Sequence, residues 1–315
     1  MVLFLLIIGF VIIIKASDVL VDAASSLAVS FRVPTMLIAL TIVAFGTCAP
    51  ELAISFQSIF SDNGQMALGN VVGSCIVNIL LILGVASFIN PIKIKNETIK
   101  KELPILVIVT IGLVVLMLDS VFSDKTNMLT RTDGVVLLLL FSLFVYYIIS
   151  IIRKRRDMEE EATMMKYSKT KSAIYLLLSI LFFLFSSDLI VDNSIIIANQ
   201  LKISQKIITL VVIVIGTSLP ELVMTVTAAR KGEFEMAIGN IIGTNIFNIC
   251  VVLGLPIALH GHLPIIGFNS IDMFFVFASS FLLFVFARSE KKLTKLEGII
   301  MFIIFLVYYT YIIFS

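Results

Sequence analysis

The fold is decided by a heptapeptide that interrupts an apolar run: Gly46-Thr47-Cys48-Ala49-Pro50-Glu51-Leu52. The run covers residues 36–60 and is otherwise free of charge. The heptapeptide returns as Gly216-Thr217-Ser218-Leu219-Pro220-Glu221-Leu222, inside the equally apolar stretch 207–229. A carboxylate at membrane depth costs about 2.5 kcal/mol or more, so ionisable residues there indicate function. The remaining chain is interpreted around this repeated pair.

The composition is that of a polytopic helical membrane protein. Of the 315 residues, 59% are hydrophobic and 14% are charged, whereas a soluble domain carries about 25% charged residues. Apolar stretches of about 20 residues recur along the chain, each long enough to cross a bilayer as a helix. We predict ten spans, at residues 2–24, 35–59, 66–88, 104–121, 133–152, 172–197, 206–229, 236–258, 268–287 and 298–314.

The distribution of basic residues predicts the orientation of these spans. With ten spans and alternating loops, 18 of the 23 Lys and Arg residues fall on one side of the membrane. The opposite side receives only Lys125, Arg131, Lys202 and Lys206. Because basic loops stay in the cytoplasm, we expect both termini outside it, in a multi-pass protein of the cell (plasma) membrane.

The chain consists of two similar halves. At an offset of 170 residues the two heptapeptides align, and so do Met66-Ala67-Leu68-Gly69-Asn70 and Met236-Ala237-Ile238-Gly239-Asn240. Each half has five spans, and because five is odd the second half enters the membrane from the opposite side. Inverted repeats with broken helices are typical of secondary transporters. We predict an all-α polytopic membrane protein whose ten transmembrane helices form two inverted five-helix repeats, with helices 2 and 7 broken.

A basic segment, Arg153-Lys154-Arg155-Arg156, joins the two halves. We interpret it as part of a solvated cytoplasmic linker that fixes orientation; a regulatory or anionic-lipid contact is the alternative. The predicted division is a first repeat at 1–152 with its motif at 41–80, the linker at 153–171, and a second repeat at 172–315 with its motif at 211–250.

The heptapeptides combine the groups that a hard cation needs. Pro50 lacks an N–H group, so a carbonyl near Gly46 loses its helical partner. Such carbonyls are tolerated in hydrocarbon only where they line a cavity or bind a cation. Thr47 and Glu51 lie on one helix face because they are four residues apart. Carbonyl, hydroxyl and carboxylate oxygens are the ligands of hard cations such as calcium. The second copy supplies Thr217, Ser218 and Glu221.

The next span of each half carries a polar stripe with four-residue spacing. The stripes are Asn70, Ser74 and Asn78, and Asn240, Thr244 and Asn248. Glycines beside them allow close approach to the broken helix. For Asn70 and Asn240, interhelical hydrogen bonding alone and cation contact are equally good interpretations. For the other four residues, which we expect to face the carboxylates, cation contact is the favoured interpretation.

The pattern GT-x-x-PEL followed by GN-x-x-G[ST]-x-x-x-N, present twice, resembles the α-repeats of the sodium/calcium exchanger family, of prokaryotic type, within the cation/calcium exchanger superfamily. The resemblance covers essentially the whole chain. It implies that Glu51 and Glu221 are the central calcium ligands, with the backbone carbonyls of Thr47 and Thr217. It further implies sodium sites built from Ser218, Ser74, Thr244, the carbonyls of Ala44 and Val214 and the residue at Cys48, with Asn78 and Asn248 lining the middle.

One position departs from the family pattern. Cys48 stands where the family usually has serine, as Ser218 does in the second copy. A thiol is a poor ligand for a hard cation. The sodium site on that side is therefore expected to be weaker or to use the backbone carbonyl instead.

The implied function is secondary antiport of Na⁺ against Ca²⁺ by alternating access at one midplane site. Exchange of three Na⁺, the expected family load, for one Ca²⁺ would be electrogenic. The alternative is an H⁺/Ca²⁺ exchanger or an exchanger of another divalent cation. In a proton/calcium exchanger the carboxylates would bind the protons, and the hydroxyl and carbonyl oxygens beside each glutamate would have no ion to bind.

Other classes of function fit the sequence less well. A cation channel would need a continuous polar lining, which most spans lack. An enzyme would need a nucleophile constellation or a nucleotide loop, and we find neither. We expect no cofactor besides the transported ions, no nucleic-acid partner and no obligatory protein partner; the lipid bilayer and the ions Na⁺ and Ca²⁺ are the expected partners.

Overall fold

The chain folds mainly into helices, as its apolar runs predict. The structure is a computed structural model that describes residues 2–61, 64–118, 127–155, 166–201, 214–265 and 270–314. Seven helices in these ranges are long and apolar enough to cross a membrane, and a bent helix pair adds an eighth. The eight are Val2–Phe31, Gly64–Ile89, Arg131–Arg153, Lys169–Ile197, Phe234–His260, Ser270–Glu290, Lys295–Phe314 and the pair Thr35–Thr47 with Ala49–Phe60.

Several of these spans consist of consecutive helical segments. The segments are α1 (Val2–Phe31), α2 (Thr35–Ile38), α3 (Ala44–Thr47), α4 (Ala49–Phe60), α5 (Gly64–Ile76), α6 (Gly84–Ile89), α7 (Asn96–Lys100), α8 (Glu102–Leu116), α9 (Arg131–Arg155), α10 (Lys169–Gln200), α11 (Val214–Thr217), α12 (Leu219–Lys231), α13 (Phe234–Phe247), α14 (Gly254–His260), α15 (Ser270–Glu290) and α16 (Lys295–Phe314). π-Helical segments join α2 to α3, α5 to α6, and α13 to α14: Ala39–Val43, Val77–Leu83 and Asn248–Leu253.

Two of the ten predicted spans are not established by the described helices. The span predicted at 104–121 corresponds to α8, which has 15 residues, fewer than the usual minimum of about 17 for a crossing helix. The span predicted at 206–229 corresponds to α11 and α12, and residues 202–213 lie outside the described residues. The total of ten therefore stays a prediction.

The interior is formed by the spans α5–α6 and α13–α14, most of whose residues are buried. Close packing there depends on glycine. A Cβ atom at Gly243 would lie 2.7 Å from the Leu40 carbonyl oxygen, so α13 touches the backbone of the first broken span directly. The outer helices instead expose large apolar side chains, as membrane-facing surfaces do. Examples are Leu139, Leu143, Leu177 and Leu181.

Two small antiparallel sheets connect the halves. β1 (Ile92–Lys93) pairs with β4 (Lys292–Leu293), and β2 (Met128–Thr130) pairs with β3 (His262–Pro264). Each sheet takes one strand from the first half of the chain and one from the second. One apolar residue pair of each sheet is buried: Ile92 with Leu293, and Leu129 with Leu263.

Equivalent positions of the two halves also contact each other inside the bundle. The Cys75 thiol lies 4.0 Å from the Asn245 carbonyl oxygen, and the Asn245 amide donates back to the Cys75 carbonyl oxygen at 3.2 Å. The hydroxyl groups of Thr110 and Ser280 are 3.1 Å apart. The residues of each pair are separated by 170 positions, the offset of the sequence repeat.

The end of the linker is attached to α1. The backbone N–H groups of Lys166 and Tyr167 donate to the Ser26 hydroxyl. Asp22 forms ion pairs with Lys166 and with Lys231 at the end of α12. The hydrogen bond to Asp22 raises the pKa of the Lys166 ammonium group above its ordinary value. The last residues of the linker are thus held against α1, while Lys166 and residues 168–171 remain exposed, as a solvated segment would be; residues 156–165 lie outside the described residues.

Candidate cation site

Both heptapeptides break their helix in the same way. Cys48, between α3 and α4, has φ −79° and ψ 4°, and Ser218, between α11 and α12, has φ −86° and ψ 6°. These angles lie in the bridge region, outside the α-helical range. A proline, Pro50 or Pro220, occupies the second position of the following helix, and it cannot donate a hydrogen bond to the preceding segment. The first broken span bends by 47°.

The breaks place two glutamates in the interior. Glu51 and Glu221 lie in the first turns of α4 and α12, where the N-terminal end of a helix favours negative charge. Their side chains are 1% and 0% exposed. Glu51 and Glu221 lie within electrostatic range of each other. Thr47 on the first broken span lies beside Glu221 on the second. The two helix breaks therefore lie near each other.

Buried polar atoms without a partner concentrate at this place. The carboxylate oxygens of Glu51 and Glu221 lack a well-formed hydrogen bond from a described residue, although Thr47 lies close to Glu221. Buried polar atoms are normally paired, and an unpaired one points to a ligand or water. Among described residues, the predicted site residues supply most of the buried unpaired side-chain atoms: those of Glu51, Ser74, Asn78, Ser218, Glu221, Thr244 and Asn248.

The charges and donor atoms at the site suit a hard cation. Two buried carboxylates without a basic partner need positive charge to offset the cost of burial. Within the described ranges no group of three or more His, Cys, Asp and Glu side chains is arranged to hold a metal ion. A cation here would therefore be held by two carboxylates together with neutral hydroxyl, amide and carbonyl oxygens. Such an oxygen-rich set is suited to calcium or sodium more than to softer metals.

Asn70 and Asn240 have supporting contacts. The Asn70 amide donates to the Glu51 carbonyl oxygen at 3.3 Å, which ties α5 to the first turn of α4. The Asn240 amide donates to the Thr225 hydroxyl at 3.2 Å and ties α13 to α12. The contact of Asn70 matches interhelical hydrogen bonding, whereas the Asn240 side-chain oxygen is buried without a partner among described residues, so both interpretations stay open for Asn240.

The sequence reasoning missed Asn245. Its side-chain oxygen accepts a hydrogen bond from the Asn78 amide at 2.9 Å, while its own amide donates to the Cys75 carbonyl oxygen. The Asn78 amide nitrogen is thereby occupied, and its oxygen, the atom able to bind a cation, has no partner among described residues. The sequence did contain a signal for this residue. Asn245 is an asparagine within an apolar span, at the position that aligns with Cys75 of the first half.

The two asparagines expected to line the site lie in π-helical segments. Asn78 belongs to Val77–Leu83, and Asn248 begins Asn248–Leu253. A π-helical turn widens the helix and shifts the side chains that follow, and such turns are frequent at functional sites. Both polar atoms of the Asn248 amide are buried without a described partner. Each polar stripe thus ends where its helix departs from α geometry.

The remaining predicted residues surround the two breaks. Ser74, Thr244 and Ser218 are buried hydroxyl residues. The Cys48 thiol is buried 4.0 Å from the Thr244 carbonyl oxygen, so it lies beside the second polar stripe. The Ala44 carbonyl accepts hydrogen bonds from the Cys48 N–H at 3.1 Å and the Thr47 hydroxyl at 3.3 Å. Thr217 is buried at the end of α11, which begins at Val214.

Fold and site together define a class: a helical membrane protein with a buried two-carboxylate centre at paired helix breaks. The family described as sodium/calcium exchanger protein matches residues 1–150 and 171–314. Inner membrane protein YrbG of Escherichia coli is 35% identical over 260 residues, which cover 80% of this chain and 78% of the relative.

Two exchangers resemble the chain over nearly its full length. Sodium/calcium exchanger MaX1 of Methanosarcina acetivorans is 31% identical over 347 residues, covering 98% of each chain. A solved structure of the sodium-calcium exchanger NCX_Mj matches with a TM-score of 0.83 and 29% identity, again over 98% of each chain. The chain belongs to the sodium/calcium exchanger protein family. It is a multi-pass membrane transporter of the exchanger class, which is not an enzyme class.

Proposed function

We propose that this protein is an antiporter that exchanges Na⁺ for Ca²⁺ by alternating access at the site between the two broken spans. The observation that carries the proposal is the pair of buried glutamates, whose four carboxylate oxygens lack a well-formed hydrogen bond from a described residue. The name of the MaX1 relative and the family description give the same pair of ions.

The proposed ligand roles follow the sequence prediction. Glu51 and Glu221 hold Ca²⁺ with the carbonyls of Thr47 and Thr217. The flanking sodium ions are held by hydroxyl and carbonyl oxygens, and the amides of Asn78 and Asn248 line the middle. The sodium ligands are Ser74, Ser218, Thr244, the carbonyls of Ala44 and Val214, and Cys48. The transported ions are substrates, and we propose no cofactor and no obligatory protein partner.

The proposed architecture is two inverted five-helix repeats at 1–152 and 172–315 joined by the linker 153–171. It is supported by the contacts between positions 170 residues apart, Cys75 with Asn245 and Thr110 with Ser280. The nearly equal backbone angles at the two breaks support it as well. With the basic loops in the cytoplasm, both termini lie outside it, in the cell membrane.

The charge of the site predicts electrogenic exchange. Two ionised glutamates carry −2, so one Ca²⁺ neutralises them and three Na⁺ leave one positive charge. Moving one charge through 100 mV changes the free energy by about 2.3 kcal/mol. The test uses sodium-loaded proteoliposomes whose membrane potential is set by a K⁺ gradient and valinomycin. Three Na⁺ leave for each Ca²⁺ that enters, so one positive charge moves outward per cycle. We therefore expect a potential of 100 mV, positive inside, to raise the final calcium accumulation by about 50-fold.

Two results would contradict this prediction. Calcium accumulation independent of the potential would rule out a net charge movement. Uptake driven by a pH gradient without sodium would favour the alternative proton/calcium exchanger. The buried hydroxyl groups of Ser74, Ser218 and Thr244 argue for sodium, because proton exchange at the carboxylates does not need them.

Cys48 offers a test of the sodium ligands. We expect Cys48→Ser to raise the apparent sodium affinity by about 3-fold or more, because oxygen is a harder donor than sulfur. Sodium dependence of calcium flux in liposomes is the measurement. Cys75→Ser is the matched control, since Cys75 is a buried thiol of the neighbouring span outside the proposed ligand set. An unchanged sodium affinity of Cys48→Ser would mean that the side chain at position 48 binds no sodium.

A further inference from the structure

A groove separate from the cation site lies beside the β1–β4 sheet. It has a volume of about 580 Å³ and is bordered by α7, the start of α8 and the end of α15. Three basic side chains converge on it: Lys100, Arg288 and Lys291. The backbone of Lys291 is fixed there, because its carbonyl oxygen accepts a hydrogen bond from the Ile94 N–H at 2.8 Å.

The basic groups of the groove have no acidic partner among the described residues. None of the three forms an ion pair with a described residue. Two nearby carboxylates are engaged elsewhere: Glu102 accepts a hydrogen bond from the Tyr147 hydroxyl, and Glu290 pairs with Lys292 at 2.8 Å. Three converging positive charges without a counter-charge among the described residues create a strongly positive potential. The groove therefore suits an anion with several acceptor oxygens.

The floor of the groove is apolar, and the apolar surface continues away from the charges. Ile99, Pro104 and Phe284 line the floor. One turn further along the same helix faces lie Ile108 on α8 and Phe281 on α15. These side chains are 57% and 47% exposed. A ligand that fits both parts has an anionic head and a hydrocarbon tail.

The groove lies at the boundary of the spans. The apolar sequence of α8 begins at Leu103, just after Lys100, and that of α15 ends at Ala287, just before Arg288. Phospholipid headgroups occupy this level of a membrane. Basic pockets between transmembrane helices on the cytoplasmic side are suited to anionic headgroups. A soluble phosphate would use the charges but not the apolar floor.

We propose that this groove is a binding site for an anionic phospholipid. Lys100, Arg288 and Lys291 bind its phosphate oxygens, and its acyl chains lie along α8 and α15. The proposal does not depend on which ions the protein transports, because the groove shares no residue with the cation site.

The test is lipid binding to the purified, delipidated full chain in a neutral detergent. Dioctanoyl-phosphatidylglycerol and dioctanoyl-phosphatidylcholine are titrated by calorimetry. We expect the anionic lipid to bind about 10-fold more tightly or better, and the groove variant Lys100→Gln/Arg288→Gln/Lys291→Gln to lose about 10-fold or more of that affinity. The matched variant Lys93→Gln/Lys101→Gln/Lys295→Gln removes the same charge from exposed lysines that do not line the groove, and it should keep the affinity.

Three results would overturn the proposal. Equal binding of the two lipids would mean that the headgroup charge is not recognised. Equal losses in the two triple variants would indicate general surface charge. If inorganic phosphate bound to the groove as tightly as phosphatidylglycerol does, the ligand would be a soluble anion and not a lipid. If the groove variant does not fold, as judged by its melting temperature without lipid, Arg288→Gln alone should still weaken binding about 3-fold; unchanged binding there would also overturn it.

Discussion

Glu51→Gln and Glu221→Gln are each expected to reduce sodium-driven calcium uptake by about 100-fold or more. Removing one of the two charges that hold a buried ion costs about 3–5 kcal/mol, and both carboxylates lie in the interior. Glutamine keeps the size of the side chain, so the loss arises from charge and not from a cavity. Uptake of radioactive calcium by purified protein in liposomes is the measurement.

A second property of these variants separates loss of function from loss of folding. Two buried carboxylates repel each other when no cation lies between them. Each glutamine variant should therefore melt at the wild-type temperature or above it in calcium-free buffer while failing to transport. Glu102→Gln is the matched control, because Glu102 is also buried but is bonded to Tyr147 outside the site. Wild-type flux in either site variant would contradict the two-carboxylate centre.

Gly243→Ala is expected to impair both folding and transport. A Cβ atom there would lie 2.7 Å from the Leu40 carbonyl oxygen and 2.8 Å from the Leu40 Cα atom. These are backbone atoms, so α13 must move away from the first broken span. Overpacking of this kind costs about 1–3 kcal/mol. The displaced helix carries Thr244 and leads into Asn248, so we expect a lower melting temperature and a loss of calcium uptake of about 10-fold or more.

The control for this prediction is Gly112→Ala. At Gly112 a new Cβ atom would meet only the end of the flexible Leu140 side chain, at 3.3 Å. Both substitutions add one methyl group to a glycine in a helix of the bundle. The account requires Gly243→Ala to be clearly worse; equal melting temperatures and equal flux in the two variants would show that the close approach of α13 is unimportant.

Features that depend on local chemistry could be predicted from the sequence. The helix breaks at Cys48 and Ser218 follow from the missing N–H groups of Pro50 and Pro220, and the structure shows them there. The length of the apolar stretches located most of the spans, and the four-residue spacing of polar residues located both polar stripes. The sequence also predicts that Glu51 and Glu221 meet, because the repeat places equivalent residues at equivalent depth.

Features that depend on contacts between distant segments could not be predicted. The role of Asn245 arises from its hydrogen bond to Asn78, which is 167 residues away. The π-helical segments have no pattern of their own, because one extra residue in a turn does not change hydropathy. Strands of two or three residues, such as β1 and β4, are too short to give a periodic signal. Attachment of Lys166 to Asp22 depends on how the linker returns to α1.

The central claim is that one cation binds between two glutamates delivered by separate broken spans. The most direct measurement is an experimental structure of crystals soaked in Sr²⁺ without sodium, with the ion located by its anomalous scattering. The account predicts one strong peak, at coordination distance, about 2.6 Å, from carboxylate oxygens of both Glu51 and Glu221. A peak bound to only one of these residues, or none between them, would contradict it.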